Sequence, residues 1–487
     1  MDNSADLKVL LASPASLVIV ETDEEDRFMN LLRSIASELK IDVWHWSSAS
    51  GLTNNSGATM YQTQNPHQAL NWVADVQPGA VFVFADAHPI LGDSYVVRKI
   101  KETAAQLSPD QTLVLTTPAA EVPPELGSVA HVWALRPPGL DELTELVRRT
   151  AHDLVARNFP VAIDEASLPS LAGTLRGLSI SQAERLIQQA AFADGALGSS
   201  DIPSLRNAKA ALFTSDGILE LMEANVGTLD TVGGLNGLKQ WLRVRIKAQA
   251  MPAANLPPPR GILLTGVPGC GKSYIAKTLA RTWEQPLVLL DPSRLYSKYI
   301  GESESRLAKA LTAVDAMSPA VLWIDEIEKG FATAGSDSDG GTSRRLLGTF
   351  LRWMQDRPDG VFVVATANNV NGLPPELLRK GRFDEIFFVD LPDDEARRDI
   401  FVHHLQSRDH VPDHFDLGEL VKASPGYSGA EIEAAIVGAT YRAFADDAPL
   451  GTSNVLEELA ATVPLSRSRA ESVAALRAWA TSRAVRA

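Results

Sequence analysis

Short apolar runs bounded by glycine, proline or charged residues punctuate this chain, and they fall into two sets. In the second half they are Gly261-Ile-Leu-Leu-Thr265, Ala320-Val-Leu-Trp-Ile-Asp-Glu326, Val361-Phe-Val-Val-Ala-Thr-Ala367 and Ile386 to Val389. These runs are continuous rather than alternating, which predicts parallel strands covered by helices on both faces. The first half carries a parallel series: Leu17 to Glu21, Ala80-Val-Phe-Val-Phe-Ala-Asp86, Leu113-Val-Leu-Thr-Thr-Pro118 and Val132-Trp-Ala-Leu-Arg-Pro137. Pro257 to Pro259 disfavour helix and make a stiff approach to the strand at Gly261. The Ala-, Arg- and Leu-rich stretch from Ser466 to Arg486 reads as an amphipathic helix.

Candidate chemistry sits where the second-half strands end. After Thr265 comes Gly266-Val267-Pro268-Gly269-Cys270-Gly271-Lys272-Ser273-Tyr274, a glycine-rich turn leading into a helix. Its glycines let backbone N–H groups converge on phosphate oxygens, Lys272 can reach the terminal phosphates, and the Ser273 hydroxyl suits Mg²⁺. Asp325 and Glu326 stand at the C-terminal end of the next apolar run, where ligands sit in α/β sheets. Asp325 is placed to hold the metal through water, and Glu326 to polarise an attacking water. Asn368, following the third run, could orient that water or touch the γ-phosphate. The cofactors expected are ATP and Mg²⁺.

The turn Leu373-Pro-Pro-Glu-Leu-Leu-Arg-Lys-Gly-Arg-Phe-Asp384 presents Arg379 and Arg382, which could stabilise transition-state charge from a neighbouring molecule. With these pieces in hand, residues from about Val232 to Tyr441 resemble the AAA module of the AAA+ superfamily. The matching pieces are Val232-Gly233-Gly-Leu235, the phosphate loop, Asp325-Glu326, Asn368, the paired arginines and Gly426-Tyr-Ser-Gly429-Ala430-Glu431. The resemblance implies that Gly233 lies near the adenine and that Gly429 and Ala430 lie near base and sugar. It also implies that both arginines reach an adjacent subunit of a homo-oligomer, usually a hexamer. Leu295 to Glu304 resembles the first central-channel loop, in which Tyr299 and Ile300 would grip a polypeptide, and Gly335 to Thr342 falls at the second.

The first half repeats this architecture without its chemistry, at an offset of about 250 residues. After the opening strand the chain runs Thr22-Asp-Glu-Glu-Asp-Arg27, with no glycine loop and no lysine. Ala85 stands where Asp325 does, Asp86 where Glu326 does, and Pro118 where Asn368 does. Val122-Pro-Pro-Glu-Leu126 echoes Leu373-Pro-Pro-Glu-Leu377 without the arginines, and Gly177 and Ser179 fall on Gly426 and Ser428. The whole chain therefore resembles a cyanobacterial and red-algal chloroplast AAA family with a degenerate first module.

The fold expected is α/β: a P-loop NTPase with parallel sheet and helical lid, preceded by a degenerate AAA-like α/β domain with its own small helical domain. The boundaries drawn are 1–155 for the degenerate domain, 156–205 for its lid-like part and 206–255 for a helical connector and entry segment. The catalytic large domain follows at 256–392, its lid at 393–462 and a terminal helix at 463–487.

Composition changes the picture only at its margins. A formal charge of −15 over 487 residues argues against an electrostatic nucleic-acid binder. No apolar stretch approaches the ~18–20 residues of a membrane span, and Met1 to Lys8 lack a basic signal region, so a cytoplasmic protein is expected. A lone cysteine, Cys270, excludes an internal disulfide, and its place near a helix N-terminus can lower a thiol pKa. His403, His404, His410 and His414 lack zinc-site spacing. The reading favoured is ATP-driven remodelling of an unidentified protein partner. An ATP-regulated scaffold without threading is the alternative, and a nucleic-acid motor fits less well.

Overall fold

The computed structural model describes the chain apart from residues 1–2, 14, 55–56, 76–78, 119–121, 215–216, 225, 250–255, 296–301, 332–341 and 380. Tyr299, Ile300 and nearly all of the second loop expected to face the channel lie outside the described residues. Two compact units form: residues 1–142 with 178–183, and residues 143–177 with 184–487.

In the first unit the apolar runs become β1 (Leu17–Glu21), β4 (Ala80–Phe84), β5 (Thr112–Thr117) and β6 (Ala130–Ala134). With β2 (Asp42–Ser47) and β3 (Gly51–Asn54) they make one sheet, ordered β3-β2-β4-β5-β1-β6. Only the β2–β3 edge is antiparallel. Leu70, Val73, Val97 and Ile100 cover one face, and Leu7, Phe28, Leu32 and Ile35 the other. That double cover is why the strands are apolar at successive positions.

The second unit holds a two-stranded ribbon, β7 (Ala162–Ile163) with β8 (Ala196–Leu197), and a larger sheet. The sheet contains β9 (Leu219–Met222), β10 (Gly261–Gly266), β11 (Leu287–Leu290), β12 (Ala320–Ile324), β13 (Val361–Ala367), β14 (Glu385–Val389) and β15 (Val485–Arg486). Their order is β15-β14-β10-β13-β12-β11-β9. Ile275 and Leu279 cover one face from the helix Lys272–Trp283; Leu307, Leu311, Leu346 and Phe350 cover the other. Helices Asp394–Gln406, Leu417–Ala423, Gly429–Ala445 and Thr452–Ala461 pack around Phe401, Leu420, Ile432 and Val455 as a separate helical lobe.

Leaving β15 aside, β14-β10-β13-β12-β11 reproduces β6-β1-β5-β4-β2; each sheet then ends in an antiparallel edge strand, drawn from before the module as β9 and from within it as β3. The likeness reaches single backbone torsions. Asp86 and Glu326, each at the second position beyond its strand, both take φ +47°, and each N–H donates to a threonine Oγ1. The acceptors are Thr116 at 3.2 Å and Thr366 at 2.9 Å. Gly177 and Gly426 are both left-handed, at φ +85° and +80°. The helices that follow open with reciprocal caps, Ser179 with Gln182 and Ser428 with Glu431.

Two segments depart from the sequence expectation. The expected helical connector is a helix, Ile202–Phe213, followed by β9, which closes the sheet edge antiparallel to β11. Leu219 is buried there while Glu220 is exposed, the alternation of a one-sided edge strand. The connector helix is bound in by Lys209, 1% exposed, whose ammonium donates to Ser318 O at 3.0 Å. Burial lowers that lysine's pKa to about 8. At the chain's other end the single helix expected from Ser466 is instead Leu465–Ser468, Ala470–Thr481 and the strand β15, which joins β14 in parallel.

Candidate active site

The floor of the site is set by the end of β10. Gly266 takes φ +141°, and a Cβ there would lie 2.0 Å from Val389 O on β14, so only glycine lets the chain leave the sheet at this point. The loop then turns through Gly269 and Gly271, both left-handed, into the helix Lys272–Trp283. That helix directs the unpaired N–H groups of its first turn, and its positive dipole end, into the cleft. Lys272 is 6% exposed, and its ammonium donates to Gly266 O at 2.9 Å and Val267 O at 3.0 Å. Burial lowers its pKa to about 8, although Cys270, Glu328, Asp325 and Glu326 favour the charged form.

Parallel register brings the carboxylates to the same end of the sheet. β12 lies between β11 and β13, with Ile324 opposite Ala365, so Asp325 emerges beside Thr366. Asp325 Oδ1 accepts from Thr366 Oγ1 at 2.6 Å and from Ser273 Oγ at 3.2 Å. A serine hydroxyl joined to a carboxylate oxygen is a hard-donor pair that suits Mg²⁺, which takes its remaining ligands from water and phosphate. The residues present therefore fit the ion. Bound there, it would neutralise phosphate charge; Ser273 and Asp325 would hold it.

Glu326 faces the same cleft. Its Oε1 accepts from Asn368 Nδ2 at 3.0 Å, and Lys329 forms an ion pair with its other oxygen. The hydrogen bond from Lys329 holds the Glu326 carboxyl below the usual carboxylate range; burial opposes it less strongly, and the Asn368 amide adds a smaller lowering. It is thus ionised at neutral pH, as a group that orients and polarises water must be. The cleft has a volume of about 740 Å³ and runs from these groups past the phosphate loop to Gly233, Ile400, His403, Gly429 and Ala430. Ala430 N donates to Gly269 O at 3.1 Å, so the helical lobe closes on the loop itself. Tyr274 also lines the cleft, its hydroxyl 3.2 Å from His403 Nε2.

Every proposed loop, metal and water-facing residue except Gly266 and Val267, whose carbonyls hold Lys272, lines this cleft. Arg379 and Arg382 do not. Arg379 is exposed, and Arg382 donates to Leu351 O at 3.0 Å and Gln355 Oε1 at 2.9 Å, away from the cleft of its own chain. The sequence reading missed Thr366, His403 and the segment Arg486–Ala487, which also lines the cleft. Thr366 could have been suspected as a polar residue in an apolar run; the others depend on tertiary contact.

Cys270 requires a correction. Desolvation outweighs the nearby helix end and Lys272, pushing the thiol up to about 12 instead of lowering it. Titration of the folded chain with Ellman's reagent at pH 8 should therefore be slow compared with the unfolded chain. Reaction at the rate of the unfolded thiol would show an activated cysteine.

Among its described residues the first unit shows no such apparatus. Where the loop would be, the Glu24 carboxylate accepts from Ile180 N, at the first turn of the helix Ile180–Asp194, and pairs with Arg27 at 3.1 Å. Arg27 donates in turn to Arg136 O at 2.8 Å and Glu142 at 3.0 Å. An internal carboxylate and its arginine thus follow β1 where the glycine loop follows β10.

Three family models match successive parts of the chain. Residues 262–391 match the model of the ATPase family associated with various cellular activities (AAA). Residues 3–135 match the SpoVK-like AAA ATPase N-terminal domain, and residues 141–215 its second domain. The uncharacterized AAA domain-containing protein ycf46 of Trieres chinensis is 35% identical, over 99% of this chain and 97% of its own length. Its namesake in Guillardia theta is 34% identical over 99% and 95%. The cell division cycle protein 48 homolog of Archaeoglobus fulgidus is 33% identical over 42% of this chain and 29% of its own. No helix of the described residues is long and apolar enough to cross a membrane.

Proposed function

This chain belongs to the family of ycf46 AAA domain-containing proteins and is an ATPase, and we propose that it hydrolyses Mg-ATP in a cytoplasmic homo-oligomeric ring that remodels a protein partner. The observation that carries this reading is the position of Arg379 and Arg382, on a surface turn away from their own cleft. The cleft holds Lys272, Asp325, Glu326 and Asn368, with Arg486 also on its lining but neither Arg379 nor Arg382, so the charge that these two would lend to phosphoryl transfer is not delivered within the chain. A neighbouring copy, presenting the same turn, supplies it. Six copies is the number proposed. Tyr299 and Ile300 are proposed to contact the partner polypeptide, and the first unit, which has no phosphate loop of its own, to recruit that partner or organise the ring. The name of one partial relative, a proteasome-activating nucleotidase, favours a protein partner over a nucleic-acid one.

Mixing variants tests the shared site. Arg379→Ala and Arg382→Ala should each lose most hydrolysis yet bind ATP, and Glu326→Gln should do the same for a different reason. In mixed rings an arginine variant with intact Glu326 meets the arginines of a Glu326→Gln neighbour, so steady-state ATPase activity reappears. No recovery on mixing, or full activity in a monomer established by analytical ultracentrifugation, would overturn the ring.

A further inference from the structure

We propose that Glu328 is a positioning residue, which fixes the backbone turn after β13 and thereby aims Asn368 at Glu326. Glu328 is 8% exposed and does not line the nucleotide cleft. Its Oε1 accepts two consecutive backbone N–H groups, from Asn368 at 2.9 Å and from Asn369 at 3.0 Å. Its Oε2 is buried without a hydrogen-bond partner among the described residues. A carboxylate so placed is costly to bury, and its hold on the two N–H groups is correspondingly strong.

The position of the turn gives that hold its consequence. β13 ends at Ala367, so Asn368 is the first residue beyond the strand. With its N–H bound to Glu328, the Asn368 amide stands 3.0 Å from Glu326 Oε1. Glu326 and Glu328 sit two residues apart on either side of Ile327, which is buried in the core, so both carboxylates share one rigid base. One faces the cleft; the other grips the turn from behind. The assignment rests on the reading of Glu326 and Asn368 as the groups that handle the attacking water.

The test uses the full chain and measures kcat together with the affinity for a fluorescent ATP analogue. Glu328→Ala should lower kcat at least about tenfold with affinity changed less than about threefold, the size expected for losing a pair of hydrogen bonds to a charged group. Glu328→Gln keeps an acceptor oxygen and should restore most of the turnover. Should the alanine variant not accumulate as folded protein, Glu328→Met fills the space and removes the acceptor in the same comparison. Asn368→Ala provides the separating arm: adding Glu328→Ala to it should cause little further loss. Equal losses in the Gln and Ala variants, or losses that multiply with Asn368→Ala, would overturn the positioning role. If Asn368→Ala alone left kcat unchanged, the reading of Asn368 itself would fail.

Discussion

Replacing Glu326 by glutamine is expected to lower kcat for ATP hydrolysis by about 10²- to 10⁴-fold while leaving ATP affinity within about threefold. The substitution keeps shape and a hydrogen-bond acceptor for Asn368 Nδ2, now 3.0 Å away, so the cleft retains its geometry. What disappears is a carboxylate held ionised by Lys329 and Asn368. A neutral amide cannot take or polarise the proton of an attacking water. Phosphate contacts are expected elsewhere, from the loop and from Lys272, which is why binding should survive. Single-turnover hydrolysis and equilibrium nucleotide binding on one preparation separate the two effects. Parental turnover in the Gln variant would remove Glu326 from the chemistry.

Lys272→Ala is expected to weaken ATP binding about 100-fold, the upper range for losing charge-assisted hydrogen bonds at a desolvated site. No compensating site is expected in the first unit, where Glu24 and Arg27 occupy the corresponding place. Calorimetric titration should therefore find one strong site per parental chain and none in the variant; a surviving strong site would place nucleotide chemistry in the first unit. The same lysine gives the parent a pH signature. Its pKa in the free chain is lowered to about 8 by burial, and a bound triphosphate favours the charged form, raising it again. Binding then takes up a proton above about pH 8, and affinity falls as pH rises, by up to about tenfold per unit. Titrations at pH 9 in two buffers of different ionisation enthalpy report that uptake; identical apparent enthalpies would contradict it.

Much of the site was legible because its chemistry is local in sequence. A glycine loop must precede its lysine and helix, and carboxylates at the ends of buried strands necessarily gather at one end of a parallel sheet. The repeat was legible for a related reason: apolar runs and Pro-Pro turns keep their spacing after the functional residues between them have changed. What escaped depends on partners far away in the chain. Leu219-Glu-Leu-Met222 is a short, partly polar segment that becomes a strand only because β11 offers an open edge. Val485–Arg486 pairs with β14 from within an Ala- and Arg-rich stretch whose composition favours helix. Glu328 resembles any acidic residue at the start of a helix until the fold brings the N–H groups of Asn368 and Asn369 to it. Cys270 misled because proximity to a helix end is visible in sequence while desolvation is not.

The left-handed turn shared by Asp86 and Glu326 belongs to the sheet before it belongs to any chemistry. A non-glycine residue at φ +47° is strained by about 1–3 kcal/mol, yet the angle is the same where Asp325 precedes it and where Ala85 does. The restraint comes from within the sheet, through the bonds to Thr116 and Thr366. Residues beside the turn differ between the two halves, as Ala85 does from Asp325, while the turn itself is kept. Removing the turn would disturb two neighbouring strands at once. A shared torsion angle thus marks common architecture more faithfully than the side chains that stand around it.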